Sequence, residues 1–175
     1  AMERCHLRNR AVDIGGVGGA GATGLRLAGY GESADAHHMS APHPEGEGAR
    51  RAIDAALQRA SVSASDIDYI NLHGTASRLN DQVEASLIAR TFPPQVRISS
   101  TKGWTGHTLG AAGAIEATIC LLALEHGFMP GTLNCVNPDT ACGEQLLQRG
   151  VHRRVARALS NSKGFGGNNA SLLFE

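Results

Sequence analysis

A chain of 175 residues with 42% hydrophobic content can bury one sizeable core, and its composition fits a single domain better than two. Sixteen Lys and Arg balance sixteen Asp and Glu, so net charge supplies no attraction to nucleic acid or to a membrane surface. Four cysteines without CxxC spacing give no metal-ligand pattern and predict reduced thiols in a cytoplasmic setting, and the first residues lack the apolar stretch of a secretory signal.

Residues 1–23 are basic and then glycine-rich, and they predict a disordered lead to a domain at 24–175. Inside the lead, Gly16-Val17-Gly18-Gly19-Ala20-Gly21 spells GxGxxG, but no adequate strand precedes it and no periodic helix follows, so a nucleotide site is not expected. Residues 25–31 read as a strand. Residues 46–60 read as a helix with Ala52, Ile53, Ala56, Leu57 and Ala60 on one face, and 67–72 as a second strand. A helix at 81–91, a strand at 97–100 and a central helix at 109–125 follow. The apolar run 109–124 is too short and too rich in Gly and Ala to predict a membrane span. Residues 130–146, with Pro138 and Gly143 inside, form a long irregular connection, and 155–160 with 170–174 are closing strands. The order predicts an α/β layer.

Three clusters carry chemistry. The first, Ser99 to Gly113, sets Lys102 and His107 on a glycine turn ahead of the apolar helix, where the positive end of the helix dipole favours a neutral ring at His107. A capped packing turn is the plainer reading. The second, Asn71 to Ser77, places His73 where a strand ends, although a lone His there is more often structural. The third, Leu159 to Ala170, sets Phe165 between glycines, either in a loop with bare N–H groups or in a plain glycine hairpin. Glu116 lies within the apolar helix, so its carboxylate is expected inside the protein, with Lys102 as its partner.

Taken together and in this order, the HGT, STKGxTGHTLGAAG and NSxGFGGNNA segments resemble the second half of the β-ketoacyl-acyl carrier protein synthases. Asp35 to Pro42 is similar to the loop these enzymes carry ahead of the His-bearing strand. The resemblance implies the C-terminal half of a thiolase-like fold, a mixed sheet with helices packed on it. It also implies a decarboxylative condensation in which malonyl-carrier protein loses carbon dioxide and the enolate attacks an acyl thioester. By motif position His73 and His107 are then the two neutral imidazoles aimed at the oxygen that turns anionic, and one such donor is worth roughly 2.7–4 kcal/mol. Lys102 and Glu116 complete the catalytic group as its supporting ion pair.

The same resemblance makes Thr75 and Ser77 the hydroxyls that bond the pantetheine amides, with Ser77 replacing a more familiar threonine. It makes Phe165 a gating aromatic and, with Gly166, part of the acyl-thioester site. Lys163 stands where an apolar or aromatic residue is more usual, and a charge there is expected to narrow or polarise the acyl entrance. Arg78-Leu79-Asn80-Asp81 differs from the usual continuation and hints at a specialised branch. No resident cofactor or metal is expected, because phosphopantetheine arrives on the carrier protein.

The family's nucleophilic cysteine belongs to its first half, which nothing in this sequence matches. Cys5, Cys120, Cys135 and Cys142 are poor substitutes. The expectation is therefore a polypeptide that does not condense alone. Its partners would be acyl carrier protein and a cysteine-bearing first half or synthase subunit, in a homo- or hetero-oligomer that covers apolar surface on 109–124. A non-catalytic module that binds a partner or self-associates is the alternative.

Overall fold

The computed structural model describes residues 24–175, so the predicted lead, its glycine run and Cys5 lie outside the described residues. The main sheet has five strands, β1 (Leu27–Ala34), β2 (Tyr69–Asn71), β3 (Arg97–Ser99), β6 (Ala158–Gly164) and β7 (Asn168–Phe174), in the order β1-β7-β6-β2-β3. β1, β7 and β6 run antiparallel, whereas β6, β2 and β3 are parallel, so the sheet is mixed as expected.

Side-chain alternation along these strands divides the core into two layers. Ile70, Leu159 and Leu173 face one side, where they meet Ile53 and Leu57 of α1 (Glu47–Ala60) and Leu87 and Ile88 of α2 (Arg78–Thr91). Their neighbours Tyr69, Ala158 and Phe174 face the other side, against Cys120 and Ala123 of α4 (Ala112–His126). Ala52, Ile53, Ala56 and Leu57 lie on the buried face of α1, as their spacing predicts, while Ala60 is only half-buried.

Close packing of α1 on β1 rests on two glycines. A Cβ on Gly31 would stand 1.9 Å from the Ala52 carbonyl oxygen, and one on Gly29 would stand 2.2 Å from that of Ala56. Two small residues thus face two fully buried alanines, which lets helix and strand backbones nearly touch.

Several boundaries differ from the sequence expectation. α2 starts a turn early, directly after Ser77, and a short helix α3 (Lys102–Thr105) stands between β3 and the central helix. A 3₁₀ turn (Leu109–Ala111) precedes α4, so His107 lies outside the helix whose dipole was expected to act on it. Propensity reads Leu109–Ala112 as one helix, but Leu109 takes a left-handed φ of 53° that breaks it. The closing strands extend toward each other and form a tight hairpin, with Gly164 paired to Asn168. A two-stranded ribbon, β4 (Phe128–Met129) with β5 (Val151–His152), flanks the irregular connection, which holds a 3₁₀ segment (Thr140–Gln145).

The segment Leu109–His126 has 18 residues and a mean hydropathy of 1.3, long and apolar enough to cross a membrane by length and composition alone. That exceeds the shorter run read from the sequence. One row of it, Ala112, Glu116, Cys120 and Ala123, is buried against the sheet, with Glu116 paired to Lys102, while most of the segment is not buried. A flanking side keeps Ile115 and Ile119 half-buried and Leu122 exposed, as expected of a surface that needs a cover.

Candidate active site

β2 delivers the chain to a turn at His73 and Gly74, whose φ is 36°. Gly74 passes so close to Ser100 that a Cβ would lie 2.5 Å from the serine Cβ, and the Ser100 hydroxyl donates to the Gly74 carbonyl at 2.7 Å. The turn is held from below by the fully buried Glu84 of α2, which accepts the His73 N–H at 3.0 Å and the Gly74 N–H at 2.9 Å. Sequence reading overlooked Glu84. Its signal was present: it shares a helical face with Asn80, Leu87 and Ile88 at spacings of three and four, so a carboxylate had to point inward.

His107 follows Gly106 (φ 71°) and accepts the Leu109 N–H at its Nδ1, at 3.2 Å. With Nδ1 an acceptor, a neutral ring carries its proton on Nε2 and can donate it. The two rings stand with centroids 5.8 Å apart at an interplanar angle of 88°. Burial is the main force that pushes the His73 imidazole down to about 4, with the charges of Lys102, Lys163 and His107 acting the same way against Glu84. His73 is therefore neutral at pH 7, and its buried Nδ1 has no hydrogen-bond partner among the described residues.

Lys102, 8% exposed, and Glu116, 1% exposed, form the expected ion pair behind the His73 turn. The Lys102 ammonium also donates to the His73 carbonyl oxygen. Burial pushes the Glu116 carboxyl up, opposed by the Lys102 ammonium and by the Ser162 hydroxyl at 3.4 Å. Neither charged group lines the cavity in front of the histidines; the pair touches the backbone of the His73 turn from behind.

That cavity measures about 620 Å³ and is lined by His73, His107, Thr75, Ser77, Lys163 and Phe165, together with part of the Asp35–Pro42 segment. The hydroxyls of Thr75 and Ser77 lie 3.0 Å apart. Ser77 occupies the N-cap position of α2 yet makes no side-chain cap, leaving its oxygen with Thr75 at the cavity wall. Phe165 is 84% exposed at the tip of a hairpin, the plainer of the two expected arrangements of that segment. Gly166 is placed differently from its neighbours: its N–H donates to the Met39 carbonyl at 2.7 Å, and it is Gly164 and Gly167 that line the cavity. Asp35 binds this tip to the preceding loop through the Gly167 carbonyl and the Asn169 amide.

Lys163 lines the cavity with a side chain only 10% exposed, and its ammonium is turned away from the mouth toward Glu84 at 3.8 Å and Asn80 Oδ1 at 3.5 Å. The charge expected at the acyl entrance is thus drawn onto a buried carboxylate. Among the described residues no cysteine lines the cavity. Cys120 is buried with its thiol pushed far up by desolvation, and burial raises Cys142 to about 11, so neither is an activated nucleophile. No group of three or more His, Cys, Asp and Glu suited to a metal occurs among the described residues.

Residues 25–136 match the family described as β-ketoacyl synthase, C-terminal domain. The chain is 45% identical over 155 residues to the mitochondrial 3-oxoacyl-[acyl-carrier-protein] synthase of Arabidopsis thaliana, covering 85% of this chain and 34% of that protein. Among solved structures it resembles the ketosynthase ApeO in complex with its chain length factor ApeC from Xenorhabdus doucetiae, at 48% identity and a TM-score of 0.76 over 86% of this chain and 38% of that one. It also resembles AntDE:AntF, a type II acyl-carrier protein in complex with its ketosynthase bound to the hexaketide, at 32% identity and a TM-score of 0.81, covering 86% and 38%. The chain spans little more than a third of the length of these relatives.

Proposed function

The chain belongs to the β-ketoacyl synthase family as its C-terminal domain, and from that premise we propose that it supplies the two-histidine side of a condensing active site. The observation that carries the reading is the pair of rings 5.8 Å apart at the wall of one cavity, one neutral by burial and the other with Nδ1 capped. Two N–H donors set at an angle can share a single acceptor oxygen. In this reading the acceptor is the malonyl thioester oxygen, which becomes an enolate oxygen as the bond to the carboxylate breaks and carbon dioxide leaves. Donors already in place need no reorganisation as that charge grows.

Lys102 and Glu116 hold the His73 turn from behind and keep positive charge close to the ring, which opposes its protonation. Thr75 and Ser77 offer hydroxyls along the cavity wall to the amides of a pantetheine arm, and Phe165 stands at the opening to the acyl chain. The thiol that holds the acyl group comes from a segment other than residues 24–175, on the same or another polypeptide. Its surface against this domain includes the exposed side of α4. The occurrence of partnered ketosynthases among the structural relatives supports association with a partner in general, and the uncovered apolar residues Leu109 and Leu122 also fit a domain that associates.

Reconstitution tests the proposal. The full chain, mixed with acyl- and malonyl-carrier protein, should yield no β-ketoacyl product, and addition of a separately expressed cysteine-bearing first half should restore it. Condensation at enzyme-like rates by the chain alone would overturn the division of labour.

A further inference from the structure

Glu84 is a carboxylate with almost no access to water, and both of its oxygens are committed to backbone N–H groups of the turn that carries His73. Desolvation strongly disfavours its charged form. Among the described residues, the only cation within ion-pair distance of it is Lys163, which reaches across from β6 and is itself nearly buried. We propose that Lys163 is a positioning residue for His73, acting through Glu84: its ammonium keeps the carboxylate ionised, and the ionised carboxylate fixes the two N–H groups that set the direction of the ring. The inference deepens the condensing-site reading, since it assigns a role to the lysine on the cavity wall.

The geometry supports this chain of action from both ends. On the Lys163 side, the hydrogen bond to Asn80 Oδ1 at 3.5 Å holds the ammonium over α2, and the pairing of Lys163 with Asn169 in the β6–β7 hairpin fixes its stem. On the Glu84 side, a protonated carboxyl would accept one N–H in place of two without rearrangement, because one oxygen would become a hydroxyl donor facing another donor. The groups around Glu84 are few. Asn80 and Asp81 share its helix, His73 lies above it, Lys163 faces it from β6, and the Lys102–Glu116 pair stands beyond the turn. Asp81 is itself a carboxyl and Glu116 is already paired with Lys102, so loss of Lys163 leaves Glu84, among the described residues, with no cation within ion-pair distance and a neutral His73 above it.

The His73 and Gly74 amide protons report the state of Glu84 directly. In ¹⁵N-labelled full chain, their chemical shifts should titrate below the usual carboxylate range, in line with the lowering that Lys163 and the two amides impose against desolvation. In Lys163→Met and Lys163→Gln the midpoint should move to higher pH, by about ten-fold in proton affinity, and Lys163→Arg should hold it near the parent value. Gln keeps a hydrogen bond toward Asn80, so it decides the matter should the Met variant not fold. Unchanged midpoints in the Gln variant would overturn the proposal. A second readout, carbon dioxide release from malonyl-carrier protein, should lose rate on the acid side in the Gln variant and regain it in the Arg variant. A parent chain that releases none would count against the condensing-site reading, while the amide titration decides the role of Lys163 independently.

Discussion

Lys102 reaches the carbonyl oxygen of His73 with the same ammonium that pairs with Glu116, so a buried ion pair on α3 and α4 is fastened to the turn that closes β2. Removing one partner leaves an uncompensated charge in the interior. Lys102→Met or Glu116→Leu should each destabilise the chain by about 3–5 kcal/mol, and the double variant should lose less than the sum of the two. Urea unfolding of the three variants measures this. Additive losses would show that the two charges are independent.

His73 ties stability to pH. Its imidazole titrates near 6.5 when unfolded and is pushed down to about 4 in the fold, so between those values the unfolded chain binds the extra proton. Stability should therefore fall as pH drops from about 6.5 toward 4, by at most about 3 kcal/mol from this residue. His73→Gln should flatten that part of the profile. Equal slopes for parent and variant in urea unfolding between pH 7 and 4.5 would remove the argument.

Thr75 and Ser77 present paired hydroxyls at the cavity wall without a structural role for the Ser77 oxygen at the α2 cap. Alanine at either position should raise KM for malonyl-carrier protein about five-fold, the worth of one hydrogen bond, with kcat little changed. Steady-state kinetics of the reconstituted synthase reads this split. An effect on kcat alone would place the hydroxyls in the chemistry and not in binding.

Gly31 is fixed by contact with α1. An alanine there would drive its Cβ into the Ala52 carbonyl oxygen, now 1.9 Å away, and should cost about 3 kcal/mol as helix and strand separate. Thermal unfolding of Gly31→Ala checks it, and Glu32→Ala, at an exposed position of the same strand, provides a comparison.

How much of this was legible in the sequence depends on whether a signal is local. The buried face of α1, the Lys102–Glu116 pair and the meeting of His73 with His107 follow from spacing, burial logic and motif resemblance. The spacing of Glu84 with Asn80, Leu87 and Ile88 pointed it inward, but its role went unread because it holds the backbone of a turn distant in sequence. The position of Lys163 was noted, but its direction was not, since the Glu84 that turns it inward had gone unread. The start of α4 was misplaced because Leu109 takes a left-handed backbone while its N–H is held by the His107 ring, a local bond that helix propensity does not see. Residues 25–31 read as a strand, but the purpose of its glycines shows only in their contact with the alanines of α1.

The account depends on two ring donors acting together on one developing oxyanion, and release of carbon dioxide from malonyl-carrier protein by the full chain measures that most directly. His73→Ala and His107→Ala should each lower the rate by about 100-fold or more while leaving far-ultraviolet circular dichroism unchanged. Parent-like release in either variant would contradict it.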